Sequence, residues 1–142
     1  MAEITLEQAR TIIDTALEYG GTRALKPLSV IVLDAGGHCR AFARSDGASP
    51  GRFEIAHGKA YGAVMLGMPS SKLKQRAEAE AYFVAAANGA YRGKLIPVAG
   101  GVLVRDNNGA VLGAVGITGD TSENDALAAS AGIEAVGLVA EA

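Results

Sequence analysis

The stretch "IPVAGGVLVRDNNGAVLGAVGITGD", Ile96–Asp120, sets two apolar, β-branched runs on either side of Asn108-Gly109. An Asn-Gly pair between two such runs is the strongest short-range hairpin signal, because both residues tolerate the positive φ angles of a tight hairpin turn. Antiparallel pairing is therefore expected here, and the rest of the chain agrees. "LSVIVLD", Leu28–Asp34, is apolar at both parities, as in a strand covered on both faces. Asp34 to Gly37 reads as a turn, and "HCRAFAR", His38–Arg44, reads as the return strand of another hairpin.

Helical periodicity fills the remainder. Leu6, Ala9, Ile12, Ile13, Ala16 and Leu17 form an apolar stripe behind a Thr5/Gln8 capping box, with Gly20-Gly21 expected to end it. "SDGASPG" is a loop, and a helix fits Arg52 to Leu66 although Gly58 and Gly62 each cost about 1 kcal/mol relative to Ala. Ser70 or Ser71 can cap a further helix to about Ala87, and Thr121 or Ser122 a last one that carries Ala126, Leu127, Ala131, Ile133, Val136 and Leu138. The expected order is helix, two strands, two helices, a strand region, a hairpin and a helix. Helices gathered between hairpins point to α+β with an antiparallel sheet rather than βαβ alternation.

At 142 residues the chain fits one domain spanning 1–142. Its core must be built from small aliphatic residues: 49% of the chain is hydrophobic, only 5% is aromatic, and there is no Trp. Small side chains give little anchoring area, so homo-oligomer contacts are expected to add burial. A net charge of −2 gives no broad attraction for nucleic acid or an anionic membrane surface. One Cys excludes an internal disulfide, no signal-peptide order is seen at the N-terminus, and no apolar run approaches the roughly 18–20 residues of a membrane span. A cytoplasmic protein is expected.

Chemistry is concentrated in few residues. His38 and Cys39 are neighbours in a strand, so they face opposite sides and do not make a nucleophile–base pair. One Cys and two His also fall short of the roughly four ligands of a structural zinc site. Parity places Cys39 with Ala41 and Ala43, as a small buried hydrophobe. His38 either closes the turn or serves as a haem ligand or general acid/base at a pocket mouth. His57 and Tyr61 lie four apart on one helix face with Phe53 and Val64, and could line a pocket for a flat ligand or simply pack on each other. Lys59 lies well round the helix from them. Gly100-Gly101 within a strand pattern marks a bulge or a close approach of a ligand or another backbone. Glycines before "DTSEND" would suit an anion, but Asp120, Glu123 and Asp125 already satisfy that helix end, and neither GxGxxG nor a P-loop is present.

Together, "SVIVLDAGGHCRAFARSDGA", "KAYGAV" and "PVAGGVLVRDNNGAVLGAVGITGDTSENDALAASAGIEAV" resemble, in order and over nearly the whole chain, the GlcG/HbpS family, which is related to the C-terminal domain of PduO-type proteins. The resemblance implies a profilin-like sandwich with a five-stranded antiparallel sheet flanked by helices, and a tendency to form dimers or larger assemblies. It also implies a small-molecule-binding protein for haem or another flat aromatic or anionic ligand. On that reading His38, His57 and Tyr61 are axial or polar contacts, Arg44 and Lys59 meet carboxylates, and Phe53, Gly100 and Gly101 complete the site. The alternative is a cofactor-independent lyase or isomerase on a small aromatic metabolite, resembling the hydroxylaminobenzoate lyases, with His38 or His57 transferring protons and Tyr61, Lys59 or Arg44 polarising the substrate. No covalent attachment motif such as CxxCH is present, and no metal site is expected.

Overall fold

A computed structural model describes residues 3–142. Its elements are α1 (Leu6–Thr22), β1 (Ser29–Asp34), β2 (Cys39–Arg44), α2 (Arg52–Leu66), α3 (Ser70–Ala79), α4 (Ala81–Ala90), β3 (Gly101–Arg105), β4 (Val111–Thr118), α5 (Ser122–Ala135) and β5 (Val139–Glu141). The strands form one antiparallel sheet in the order β2-β1-β4-β3-β5. The fold is α+β, as the hairpins require.

The three interior strands, β1, β4 and β3, are covered on both faces, which explains why β1 is apolar at both parities. Val30 and Val32 point to the layer of α1 and α5, where Ile12, Ala16, Ala129 and Ile133 join them. Ile31 and Leu33 point to α2, against Ala56, Ala60 and Ala63. The α1 start has the expected capping box: Gln8 N–H donates to Thr5 Oγ1, and Thr5 N–H to Gln8 Oε1, both at 3.0 Å. The β3–β4 turn has Gly109 at φ 86°.

Several local expectations are corrected. Helix α1 runs through Gly20-Gly21 to Thr22. The expected helix from Ser70 is two helices, broken at Glu80, whose φ −139° and ψ 65° leave the helical region. The last helix ends at Ala135, because Gly137 at φ 76° turns the chain; its N–H donates to Glu134 O, and Leu138 N–H to Ile133 O. The released tail becomes β5, which pairs with β3.

Helix α2 sits unusually close to the sheet. Gly101 and Gly116 are cross-strand partners. A Cβ on Gly101 would strike the Lys59 carbonyl, and one on Gly116 would strike the Ala56 carbonyl. Gly100-Gly101 is therefore a close approach of another backbone. The irregularity in this hairpin lies elsewhere, where Leu112 is the extra residue between the pairs Val104↔Gly113 and Arg105↔Val111. With its small residues inward, α2 carries its aromatic residues on the opposite, partly open side.

Candidate functional site

Along the outer face of α2, Phe53, His57 and Tyr61 recur every four residues and stack. Ring centroids are 5.9 Å apart for Phe53–His57 and 5.2 Å for His57–Tyr61, with interplanar angles of 19° and 21°. Phe42 of β2 meets Phe53 edge-on at 4.9 Å, and Tyr91 meets Tyr61 edge-on at 6.0 Å. Five rings thus form one continuous ladder.

Two walls flank the ladder. On one side is the β1–β2 hairpin, where Gly37, at φ 83°, leaves space that a Cβ would take from Met65 and Tyr61. On the other is the segment 91–96, which crosses α2 at Gly58. A Cβ there would collide with Ile96 and lie 2.9 Å from the Lys94 carbonyl, and Ile96 N–H donates to Gly58 O at 3.3 Å. Gly58 weakens the helix but lets this wall close. Between α2 and the wall lies an open cleft of about 390 Å³ lined by Phe53, Glu54, Ile55, His57, Gly93, Lys94 and Ile96. That volume falls in the small-ligand range.

His57 is half-buried in this wall of rings. Burial, and secondarily the nearby Lys94 charge, hold its pKa below the ordinary 6.5. Neutral imidazole, able to offer a nitrogen lone pair, is therefore the prevailing form at neutral pH.

The structure brings Phe53, His57 and Tyr61 together but not the other nominated residues. His38 has an 82% exposed side chain whose Nδ1 lies 3.5 Å from Asp34 Oδ1. That same oxygen accepts the Gly36 and His38 backbone N–H groups at 2.9 and 3.0 Å. His38 thus closes the turn and lies outside the cleft lining. Arg44 is exposed at the far end of β2, paired in register with Ser29. Lys59 was expected to meet ligand carboxylates, but it is only 2% exposed and points the other way, donating to Ile117 O and Asp125 Oδ2. Gly100 and Gly101 pack against Lys59 and are not in the cleft.

Cys39 is also corrected: it is exposed. The pairs Val32↔Ala41 and Leu33↔Cys39 leave Arg40 as an extra residue. This bulge reverses the parity beyond it, so Cys39 shares the face of Leu33 rather than that of Ala41, on an edge strand that leaves it uncovered.

Lys94, Arg92, Tyr91 and Ile96 were missed by sequence reasoning. They lie in a segment without periodicity, whose one legible sign is the Gly58 notch that it fills.

The family model described as "Haem degrading protein HbpS-like" matches residues 4–134. No curated protein matches. Among solved structures, a double mutant of Streptomyces reticuli HbpS aligns with a TM-score of 0.81 at 28% identity, over 96% of this chain and 89% of that one. Klebsiella pneumoniae protein ORFY aligns with a TM-score of 0.84 at 25% identity, over 96% and 93%. A PduOC–haem complex aligns with 0.87 at 22% identity, over 99% and 100%, a likeness of fold.

Proposed function

The chain belongs to the HbpS-like family, and from that premise we propose that it binds haem on the aromatic face of α2. The observation that carries this reading is the stack Phe53–His57–Tyr61, of which Phe53 and His57 line an open, largely apolar cleft and Tyr61 the adjoining one. The residues present fit the group: a flat macrocycle requires apolar aromatic surface, and iron requires a donor such as a neutral imidazole or a phenol oxygen. His57 and Tyr61 are the donors within the ladder. Haem, when bound, would supply a redox-active iron. The protein's part is to orient the macrocycle on the ring ladder, to exclude water from the α2 side, and to keep the His57 imidazole unprotonated.

Self-association belongs to the same proposal. A core of small aliphatic side chains supports it, because contacts between copies add burial that such side chains supply sparingly. The lyase alternative draws no support from the family description or from the solved relatives. Among the described residues, no helix is long and apolar enough to cross a membrane.

Titration of the purified protein with haemin tests the proposal. A saturable shift of the Soret band is expected, changed in position or weakened about tenfold or more in His57→Ala or Tyr61→Phe, and retained in His38→Ala. No shift, or the same shift in both ladder variants, overturns the ligand assignment.

A further inference from the structure

The turn that follows α4 is built with strain. Arg92 has φ 60° and Gly93 φ 77°, so two consecutive residues occupy the left-handed region and one of them is not glycine. The turn is nevertheless pinned at both ends. Asn88 accepts the Gly93 N–H at its backbone oxygen (2.7 Å) and the Leu95 N–H at Oδ1 (2.9 Å), while Ile96 is tied to Gly58 of α2.

What this turn presents is two cations. Lys94 lines the aromatic cleft, and its Nζ sits 5.7 Å from the Tyr61 ring centroid. It also lines a second, adjoining cleft of about 240 Å³ together with Tyr61, Ala90, Tyr91 and Arg92. Among the described residues, none of the five ion pairs engages Arg92 or Lys94. The carboxylate lining the aromatic cleft is Glu54, next to Phe53 in sequence. Charge is thus graded along the site, negative beside Phe53 and positive at Arg92 and Lys94.

Cations after a helix C-terminus also complement its dipole. That accounts neither for an arginine where glycine would make the turn without strain, nor for a lysine laid over Tyr61 rather than over the α4 carbonyls. Strain held in place by its surroundings clusters at ligand sites.

We propose that Arg92 and Lys94 form a carboxylate-recognition subsite, so that the site selects a flat aromatic ligand carrying two carboxylates over its neutral counterpart. This rests on the haem-binding reading and deepens it: the carboxylates lie at Arg92 and Lys94, and the apolar edge of the ligand lies toward Phe53. A guanidinium and an ammonium are suited to two such groups, the first by a bidentate fork and the second as a point charge.

The test compares haemin with haemin dimethyl ester on the whole chain, in wild type, Arg92→Gly and Lys94→Gln. The ester is expected to bind wild type about tenfold or more weaker than haemin, the worth of a charge-assisted bond. Each variant is expected to lose a similar factor toward haemin and little toward the ester. Arg92→Gly carries a second readout, because glycine relieves the left-handed strain: its melting temperature should rise by a few degrees while haemin affinity falls. Equal weakening of both ligands, or unchanged haemin affinity in both variants, overturns the subsite. If haemin affinity survives in these two variants but is lost in His57→Ala, the subsite fails and the haem reading stands. If haemin does not bind wild type at all, both fall.

Discussion

Lys59 Nζ lies 3.1 Å from Asp125 Oδ2 and 2.9 Å from the Ile117 carbonyl, joining a helix on one face of the sheet to a helix on the other. The pair is almost wholly buried, Lys59 at 2% and Asp125 at 0% exposure. Desolvation is the largest influence on each, pulling the Lys59 pKa down and the Asp125 pKa up, and mutual attraction offsets it only in part. Removing one partner strands the other charge, so Asp125→Leu or Lys59→Met alone should cost about 3–5 kcal/mol. The double variant should recover most of that loss. Urea denaturation of the four proteins measures it; a double variant as unstable as the sum of the singles would show no coupling between Lys59 and Asp125 and overturn this account.

Helix α2 can bring its alanines to the sheet only where the strands lack side chains. In Gly116→Ala the new Cβ would fall on the Ala56 carbonyl, a backbone atom that cannot step aside without moving the helix. We expect a loss of about 1–3 kcal/mol, with the ring ladder displaced outward. Gly89, near the end of α4, meets nothing within 4 Å. Gly89→Ala should therefore gain about 0.5–1 kcal/mol from helix propensity. Thermal denaturation of both variants separates glycines kept for close packing from one that is not.

The sheet was legible in the sequence because its signals are local: the turn at Asn108-Gly109 is closed onto Asp106 with Gly109 alone at positive φ, and Val30 to Leu33 show burial on two faces by composition alone. The ladder was half legible, since Phe53, His57 and Tyr61 share a helical spacing. Its walls were not, because Phe42 and Tyr91 reach it through tertiary packing. Lys59 misled for a physical reason. Helical rotation showed that it leaves the aromatic face, but only the three-dimensional position of Asp125 shows where it goes. Cys39 misled because strand parity holds only between bulges, and the extra residue Arg40 has no sequence mark. The short β5 was hidden by the apolar continuation of α5, although Gly137 is the stop signal.

His57 should make stability depend on pH in a defined direction. Its folded pKa lies below the ordinary 6.5, first through burial and then through Lys94. As pH falls through 6.5 the unfolded chain takes up a proton that the folded chain still refuses, so stability declines until the lower folded pKa is reached and then levels. Denaturation midpoints between pH 7.5 and 5 should fall less in His57→Gln than in wild type. By NMR, Lys94→Gln should move the His57 titration part of the way back toward 6.5, because desolvation remains; an unmoved titration would remove Lys94 from the field at this ring.

The bulge at Arg40 makes a prediction about the one thiol. Had strand parity run unbroken, Cys39 would face the α1 layer with Ala41, and a maleimide would reach it only after unfolding. Because Leu33↔Cys39 follows the extra residue, the side chain emerges at the uncovered edge of β2. One equivalent of label should therefore enter the native protein in the absence of denaturant. Partial burial lifts the thiol above its ordinary pKa of 9.0, so the thiolate, which is the reacting form, is scarcer at pH 7 than in a free cysteine. Labelling should accordingly run slower than for a cysteine-containing peptide and accelerate as pH rises toward and beyond 9, with the melting temperature unchanged at low label. Labelling that waits for urea would place Cys39 back in the core and remove the bulge.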